Sequence, residues 1–328
     1  MRTKNLLSAG PAIIALWALS IACCASEQRC IADKYTVIAL PLLPAGINDS
    51  GEIVGTSSSH KAALWTKKRG LREMKVPLGF TNSNGVALNN RGQAIGIAIN
   101  LQTNARQGFS YKDEKVQLLP GKSANPLAVN DDGVIVGEAT MGSNGLSSPV
   151  VWKGPAIVNL GGCCGGVATG INNLGRIIGN IYDPEGRYEA YLWDETHGIQ
   201  HIGPSKVYSS ALLLNDAGDV VIQLFSGGVW LRKEGKLTRL ELSTQSPNHP
   251  RDINNCGAVV GSFGTFHDYY RAFAWDEEGG FRDLNGLIAP NSGWTLQEAT
   301  SVNNHGEIVG WGERDGSDDE GFLLIPQP

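Results

Sequence analysis

Positive charge is in short supply. The chain has 27 Lys and Arg against 32 Asp and Glu, a net charge of −5. No cationic surplus exists to hold a phosphate backbone, so nucleic acid is not an expected partner. Methionine (3) and phenylalanine (8) are scarce, while glycine reaches 42 of 328 residues. That balance argues for many turns and few long helices. Beyond the first 25 residues there is no long apolar run, so no membrane span is expected. Catalytic signatures are missing as well: there is no Gly-x-Ser-x-Gly, no His-Glu-x-x-His and no Walker loop. The hydrophobic share, 41%, is still ample for a packed core.

The N-terminus reads as an address. Arg2 and Lys4 precede an apolar run over 12–23, and the small residues Cys23, Cys24, Ala25 and Ser26 follow. This is the three-part pattern of a secretory signal peptide, with cleavage expected after Ala25. Leu19 to Cys23 also resembles a bacterial lipoprotein box, with Ser20 where Leu is usual, so a lipid anchor at Cys23 is the alternative. The expected organisation is a signal over 1–25, a linker over 26–34 and one domain over 35–328. The expected location is outside the cytoplasm: secreted, periplasmic or at the surface. Export permits disulfides. Cys30, Cys163, Cys164 and Cys256 remain after cleavage. One arrangement joins Cys30 to Cys256 and the neighbours Cys163 and Cys164, but four cysteines allow three full pairings.

Internal repeats decide the fold. Gly46-Ile47-Asn48-Asp49-Ser50-Gly51-Glu52-Ile53-Val54-Gly55 is the first of seven copies. The lead asparagines are Asn48, Asn89, Asn130, Asn172, Asn215, Asn254 and Asn303, spaced 41, 41, 42, 43, 39 and 49 apart. The phrase is a hairpin: the Asn side chain bonds its own backbone two residues on, and Gly three places later takes positive φ. A β-branched strand follows, then a variable loop and a strand ending in an aromatic, such as Ala63-Leu64-Trp65, Tyr191-Leu192-Trp193 or Val229-Trp230. A turn and a fourth strand, such as Leu71 to Met74, close the unit. Four short strands in roughly 40 residues are the dimensions of a propeller blade. The seventh unit stops after its third strand, while Tyr35 to Leu40 is an orphan strand running into Leu42-Leu43-Pro44, which matches Leu118-Leu119-Pro120 at the end of a fourth strand. The expectation is an all-β, seven-bladed propeller of four-stranded blades, with the N-terminal strand completing the last blade.

The phrase Gly-Ile-Asn-x-x-Gly-x-Ile-Val-Gly, followed by small-aromatic-x-Trp, resembles the extracellular HAF-repeat family of exported bacterial proteins over nearly all of the mature chain. The final unit is similar to the family's C-terminal form through Gly293-Trp294-Thr295-Leu296, Ala299 to Asn303 and Gly321-Phe322-Leu323-Leu324. The namesake His-Ala-Phe reads Arg271-Ala272-Phe273, Glu189-Ala190-Tyr191 and Gln107-Gly108-Phe109 in this chain. The resemblance implies a fold and an exported location. It carries no catalytic residues.

In a propeller the first-to-second and third-to-fourth turns share one face, and the longer loops share the other. Function concentrates on irregular loops. Blades six and seven stand out there: His267, Tyr269, Tyr270, Arg271, Trp294 and Trp311 are candidate ligand-binding residues. Aromatics beside acids and an Arg suit sugar or peptide binding. Asp315, Asp318, Asp319 and Glu320 are candidate calcium ligands without EF-hand spacing, and no other cofactor is expected. The expected function is non-catalytic binding of an envelope glycan or protein partner by a monomer, near the axial channel. The competing readings are a hydrolase or lyase acting on a polysaccharide or small ester at that channel, and a scaffold repeat in a surface assembly.

Overall fold

The structure is a computed structural model that describes residues 30–328 except 142–144, 162–163, 205, 245–246, 265–269 and 318. The proposed signal peptide lies outside the described residues. Seven four-stranded antiparallel sheets stand around a central axis as the blades of a propeller. Blade one is typical, with strands Leu42–Ile47, Ile53–Ser57, Ala62–Thr66 and Gly70–Glu73 in spatial order. Blade seven takes three strands from the C-terminal repeat, Trp294–Val302, Ile308–Arg314 and Glu320–Pro326. Its fourth is Tyr35–Leu40, paired antiparallel from Tyr35 opposite Pro326 to Leu40 opposite Gly321. The last blade is thereby completed by the first strand, which covers the edge that Glu320–Pro326 would otherwise expose. A single turn of 3₁₀ helix, Leu284–Leu287, is capped by the Asp283 side chain. Among the described residues no helix is long and apolar enough to cross a membrane.

The register corrects two details of the repeat reading. Ala39, not Leu42, stands where Leu118 does, since Phe322 pairs with Ala39 as Phe109 pairs with Leu118. The closing match is therefore Ala39-Leu40-Pro41 with Leu118-Leu119-Pro120, and Leu42–Ile47 already belongs to the inner strand of blade one. In blade five, Trp230 pairs with Ile222, the position of Tyr191 opposite Gly179 in blade four, while Arg232 takes the place of Trp193.

Each repeat glycine has its own cause. The turn glycines Gly51, Gly92, Gly133, Gly175, Gly218, Gly257 and Gly306 have φ of 70–91°, a region that L side chains rarely occupy. The final glycines of the phrase are forced by close approach instead. A Cβ on Gly55, Gly137 or Gly310 would strike the carbonyl oxygen of Leu43, Asn125 or Glu298 on the inner strand.

The lead asparagines do more than make turns. Asn172 is 3% exposed, and its Oδ1 accepts from the backbone N–H of Leu174 (3.1 Å) and Arg176 (2.9 Å). Its Nδ2 donates out of the blade to the backbone carbonyl of Asn215, 3.1 Å away. The same bond runs from Asn48 to Asn89, to Asn130, to Asn172, to Asn215, to Asn254, to Asn303 and back to Asn48. Seven bonds of 2.7–3.2 Å close a circle around the axis. A second circle surrounds it. The backbone N–H of Asp49 donates to Oδ1 of Asn90, and the pattern continues through Asp131, Asn173, Asp216, Asn255 and Asn304 back to Asp49. The sequence alone showed the turn use of these residues but not the bonds between blades.

The cysteines add one more closure. Cys30, just ahead of the closing strand, is bonded to Cys256 in the first turn of blade six, with Cα atoms 5.7 Å apart. Cys164 is also disulfide-bonded, and Cys163 lies outside the described residues. Between Cys30 and the closing strand, Ile31 is fully buried and its carbonyl accepts from Arg282 (3.3 Å), whose guanidinium also pairs with Asp276.

Candidate functional site

The inner strand of every blade carries a β-bulge. In blade one the pairing skips from Pro44 opposite Gly55 to Gly46 opposite Val54, leaving Ala45 without a partner. The unpaired residues at the matching step are Ala45, Val86, Leu127, Thr169, Leu212, Arg251 and Thr300. All seven line one axial cavity of about 310 Å3. A bulge re-aims a side chain, and here it supplies one wall residue per blade. Four are apolar. The two threonines are tied inward, Thr169 to the carbonyl of Ala211 (3.0 Å) and Thr300 to that of Pro44 (3.1 Å). Arg251 is the single charged member of this ring.

The Arg251 guanidinium lies 2.9 Å from the Glu298 carboxylate of blade seven. Glu298 is largely enclosed, at 13% side-chain exposure, and also accepts from Ser262 Oγ at 3.4 Å. Ser262 stands directly opposite His249, and Glu298 directly opposite Trp311. Directly paired residues share a sheet face, so His249, Ser262, Arg251, Glu298 and Trp311 border one region at the junction of blades six and seven. The Tyr270 ring meets the His249 ring edge-on at 5.8 Å. Burial, with Arg251 nearby, holds the His249 imidazole below its ordinary pKa, and its Nε2 is buried without a hydrogen-bond partner among the described residues.

Asp252 lines the same cavity. Its carboxylate accepts from Ser301 Oγ (2.6 Å), Val302 N–H (3.0 Å) and its own neighbour Ile253 N–H (2.8 Å), joining blade six to blade seven. Enclosure raises its pKa above the usual carboxylate range, against the lowering effect of those bonds.

The residues proposed from sequence divide. Tyr270 and Trp311 fall at this junction. Arg271 is instead bonded through Nε to Asp283 (2.7 Å), on the outermost strand of blade six. Trp294 packs edge-on against Phe322 at 6.0 Å, with Arg314 6.0 Å above its ring. The cavity beside it, about 350 Å3, is lined by Tyr35, Ser292 and Arg314 among others and includes neither Tyr270 nor Arg271. His267 and Tyr269 lie outside the described residues.

Among the candidate calcium ligands, Asp318 also lies outside the described residues. The backbone N–H of Asp315 donates to the Gly293 carbonyl (2.8 Å), and Arg314 lies 3.8 Å from Asp315 and 3.9 Å from Glu320. Among the described residues no three His, Cys, Asp or Glu side chains gather in a way that could hold a metal ion.

Arg251, Asp252 and Glu298 were not expected from sequence. Pro250-Arg251-Asp252-Ile253 stands where the first copy has Pro44-Ala45-Gly46-Ile47, so the two charged residues were visible as a departure from the repeat. Only the bulge shows that this departure faces the axis.

No family description matches the sequence, and no curated relative does. Solved structures are similar in fold. A puromycin hydrolase mutant complexed with PGG superposes with a TM-score of 0.57 at 12% identity, over 89% of this chain and 54% of its own. This chain thus spans about half the length of that enzyme. The β-propeller domain of the Trilobed protease from Pyrococcus furiosus gives 0.50 at 11% identity, over 73% of this chain and 82% of the domain. TolB from Acinetobacter baumannii gives 0.50 at 12% identity, over 87% and 86%. At such identities the likeness establishes a β-propeller and no activity.

Proposed function

We propose that this is an exported, non-catalytic propeller of the HAF-repeat type that binds an envelope glycan or a protein partner at the loop-face mouth of its axial cavity. The observation that carries the reading is the unevenness of the bulge ring. Six of its seven side chains are apolar or tied threonines, and the seventh is Arg251 facing Glu298. A purely structural ring gains nothing from one exposed cation on a wall whose other polar groups, Thr169, Thr300 and Asp252, are already bonded. A ligand does, because a few placed polar groups in a concave site set orientation and specificity. Trp311 and Tyr270 add aromatic surface beside the pair. The Cys30–Cys256 bond and the N-terminal signal pattern support the exported location.

The test is calorimetric titration of the full chain with chito-oligosaccharides and peptidoglycan fragments, repeated on Arg251→Ala and Glu298→Gln. Wild type is expected to bind, and Arg251→Ala to bind about tenfold or more weakly, a loss of about 1.4 kcal/mol. Equal binding by both variants would remove the junction from the site. Release of new reducing ends during the titration would convert the reading to the hydrolase.

A further inference from the structure

We infer that the cleft between blades three and four, on the turn face opposite to the loops, is a second binding site and takes a neutral saccharide unit. It encloses about 750 Å3. The first turns of both blades border it, and so do their third-to-fourth turns. Trp193, Val151, Leu160 and Ile171 form its apolar floor.

No long side chain fills this cleft. The fourth-strand residue opposite the middle of the third strand is Arg72 in blade one, Gln117 in blade two, Gln200 in blade four and Arg282 in blade six. Arg72 reaches across its gap to Glu114 of the next blade, 3.1 Å away. Shorter residues hold the same place in the other three blades, Thr238 in blade five, Ile38 in blade seven and, in blade three, Val158, which is apolar and 50% exposed. The indole beyond it is left partly open. Of its counterparts, Trp152 is fully buried, with its N–H on the Pro120 carbonyl, and Trp275 is 9% exposed, while Trp65 is half-buried. An uncovered indole and an exposed valine cost hydrophobic free energy unless something covers them.

The rim identifies what that something is. Its acids are already answered. Glu195 pairs with Lys153 across the cleft at 2.6 Å, Asp194 with His197 at 2.9 Å, and Asp132 with Arg91 at 3.5 Å. Arg176 runs towards Gly218 of blade five. The rim therefore offers hydrogen-bonding groups with no net charge for an ionic ligand to seek, since Arg91, Lys153 and Arg176 balance Asp132, Asp194 and Glu195. A flat aromatic floor below a neutral polar rim is the complement of a pyranose, which has one face of C–H groups and an equatorial belt of hydroxyls. The site shares only Ile171 with the axial cavity and no residue with the Arg251–Glu298 junction, so either reading can fail alone.

The experiment is an NMR titration of the nitrogen-15-labelled full chain with methyl α-D-mannopyranoside, methyl β-D-glucopyranoside, methyl β-D-galactopyranoside and chitobiose. The Trp193 indole N–H resonance is assigned by its loss in Trp193→Leu. At least one sugar is expected to move that resonance with a Kd on the order of 1 mM, as suits a single ring. Val158→Arg, which installs the filler used in blades one and six, is expected to weaken the response about tenfold or more. The inference is overturned if no sugar moves the Trp193 resonance, or if sugars move only other indoles. It also fails if Val158→Arg responds as wild type does. Should Val158→Arg not fold, sugar-induced shifts that persist unchanged in Trp193→Leu overturn it instead.

Discussion

Replacing one lead asparagine should cost far more than replacing its neighbour in the next position. Asn172 has three bonds through its side chain, two accepted within its own turn and one donated to Asn215 of the next blade. It is 3% exposed, so water does not compensate when the side chain is cut back. At about 1 kcal/mol net per bond, Asn172→Ala should lose about 3 kcal/mol. Asn173, one residue on, also bonds to both neighbouring blades, through Asp131 and Asp216, but it lies exposed. Asn173→Ala should therefore cost about 1 kcal/mol or less. Equilibrium urea unfolding followed by tryptophan fluorescence measures both on one scale. Asn172→Asp isolates the bond between blades, because it keeps the accepting oxygen and replaces only the donor. A second oxygen then faces the Asn215 carbonyl, and burial without a donor raises the new carboxyl's folded pKa above its unfolded value of about 3.9. For a raised pKa the stability contribution is complete below the unfolded value and is lost as pH rises through the folded one. The deficit of Asn172→Asp relative to wild type should thus be small near pH 4 and widen towards pH 7, by about 1.4 kcal/mol per unit until the folded pKa is passed. If Asn172→Ala costs no more than Asn173→Ala, or if the Asp deficit is flat with pH, the circle of bonds is not what holds the blades.

Reducing the Cys30–Cys256 bond opens a loop of 226 residues, for which chain entropy sets a ceiling of about 5 kcal/mol. Cys256→Ser should lower the urea midpoint accordingly, and reductant should then shift it less than it shifts that of the wild type. Gly137→Ala drives a Cβ into the Asn125 carbonyl and should destabilise by about 3 kcal/mol or more. Ala at Ile222, the blade-five equivalent, only truncates a buried side chain that the backbone already accommodates, so its cost should follow cavity size and not backbone displacement. Asp252 has a folded pKa raised by enclosure, so its stabilising contribution is greatest below the unfolded pKa and declines as pH rises through the folded one. Asp252→Asn should gain on wild type between pH 4 and pH 7, and a pH-independent difference in unfolding free energy would contradict the assignment.

The fold was legible because each blade repeats the same local demands. Gly51 and its six equivalents need positive φ, and Asn48 and its equivalents bond their own turns. Both requirements act within five residues, so sequence spacing displays them. The circle between blades also left a trace that turn chemistry does not explain. The first position is Asn in all seven copies, while the second is Asp49, Asn90, Asp131, Asn173, Asp216, Asn255 and Asn304. An Asx turn accepts either residue. Only the donation to the next blade needs Nδ2, and so only the first position excludes Asp. The second position uses Oδ1 as acceptor, which both residues possess, and no two of its three Asp are adjacent around the ring. Asn173 and Asn255 can therefore donate to the Asp carboxylates beside them.

The candidate sites were less legible because function departs from repetition at places where the repeat is silent. Arg251 sits on an extra residue in a strand, and a bulge leaves no signature in hydrophobic alternation. The aromatics of the loops drew attention to Arg271 and Trp294, whose partners Asp283 and Arg314 occupy them within their own blades. Val158 is ordinary for a strand, as are Thr238 and Ile38 at the same place, and becomes informative only beside Arg72, Gln117, Gln200 and Arg282, once pairing has aligned the fourth strands. In a ring whose blades must fit one another, a position that varies from polar filler to short valine removes contact between two blades. Such a gap leaves apolar surface that a ligand can cover, which is the ground for the site proposed above Trp193, whereas the ground for the one proposed at Arg251 is a charge that departs from the rest of its ring.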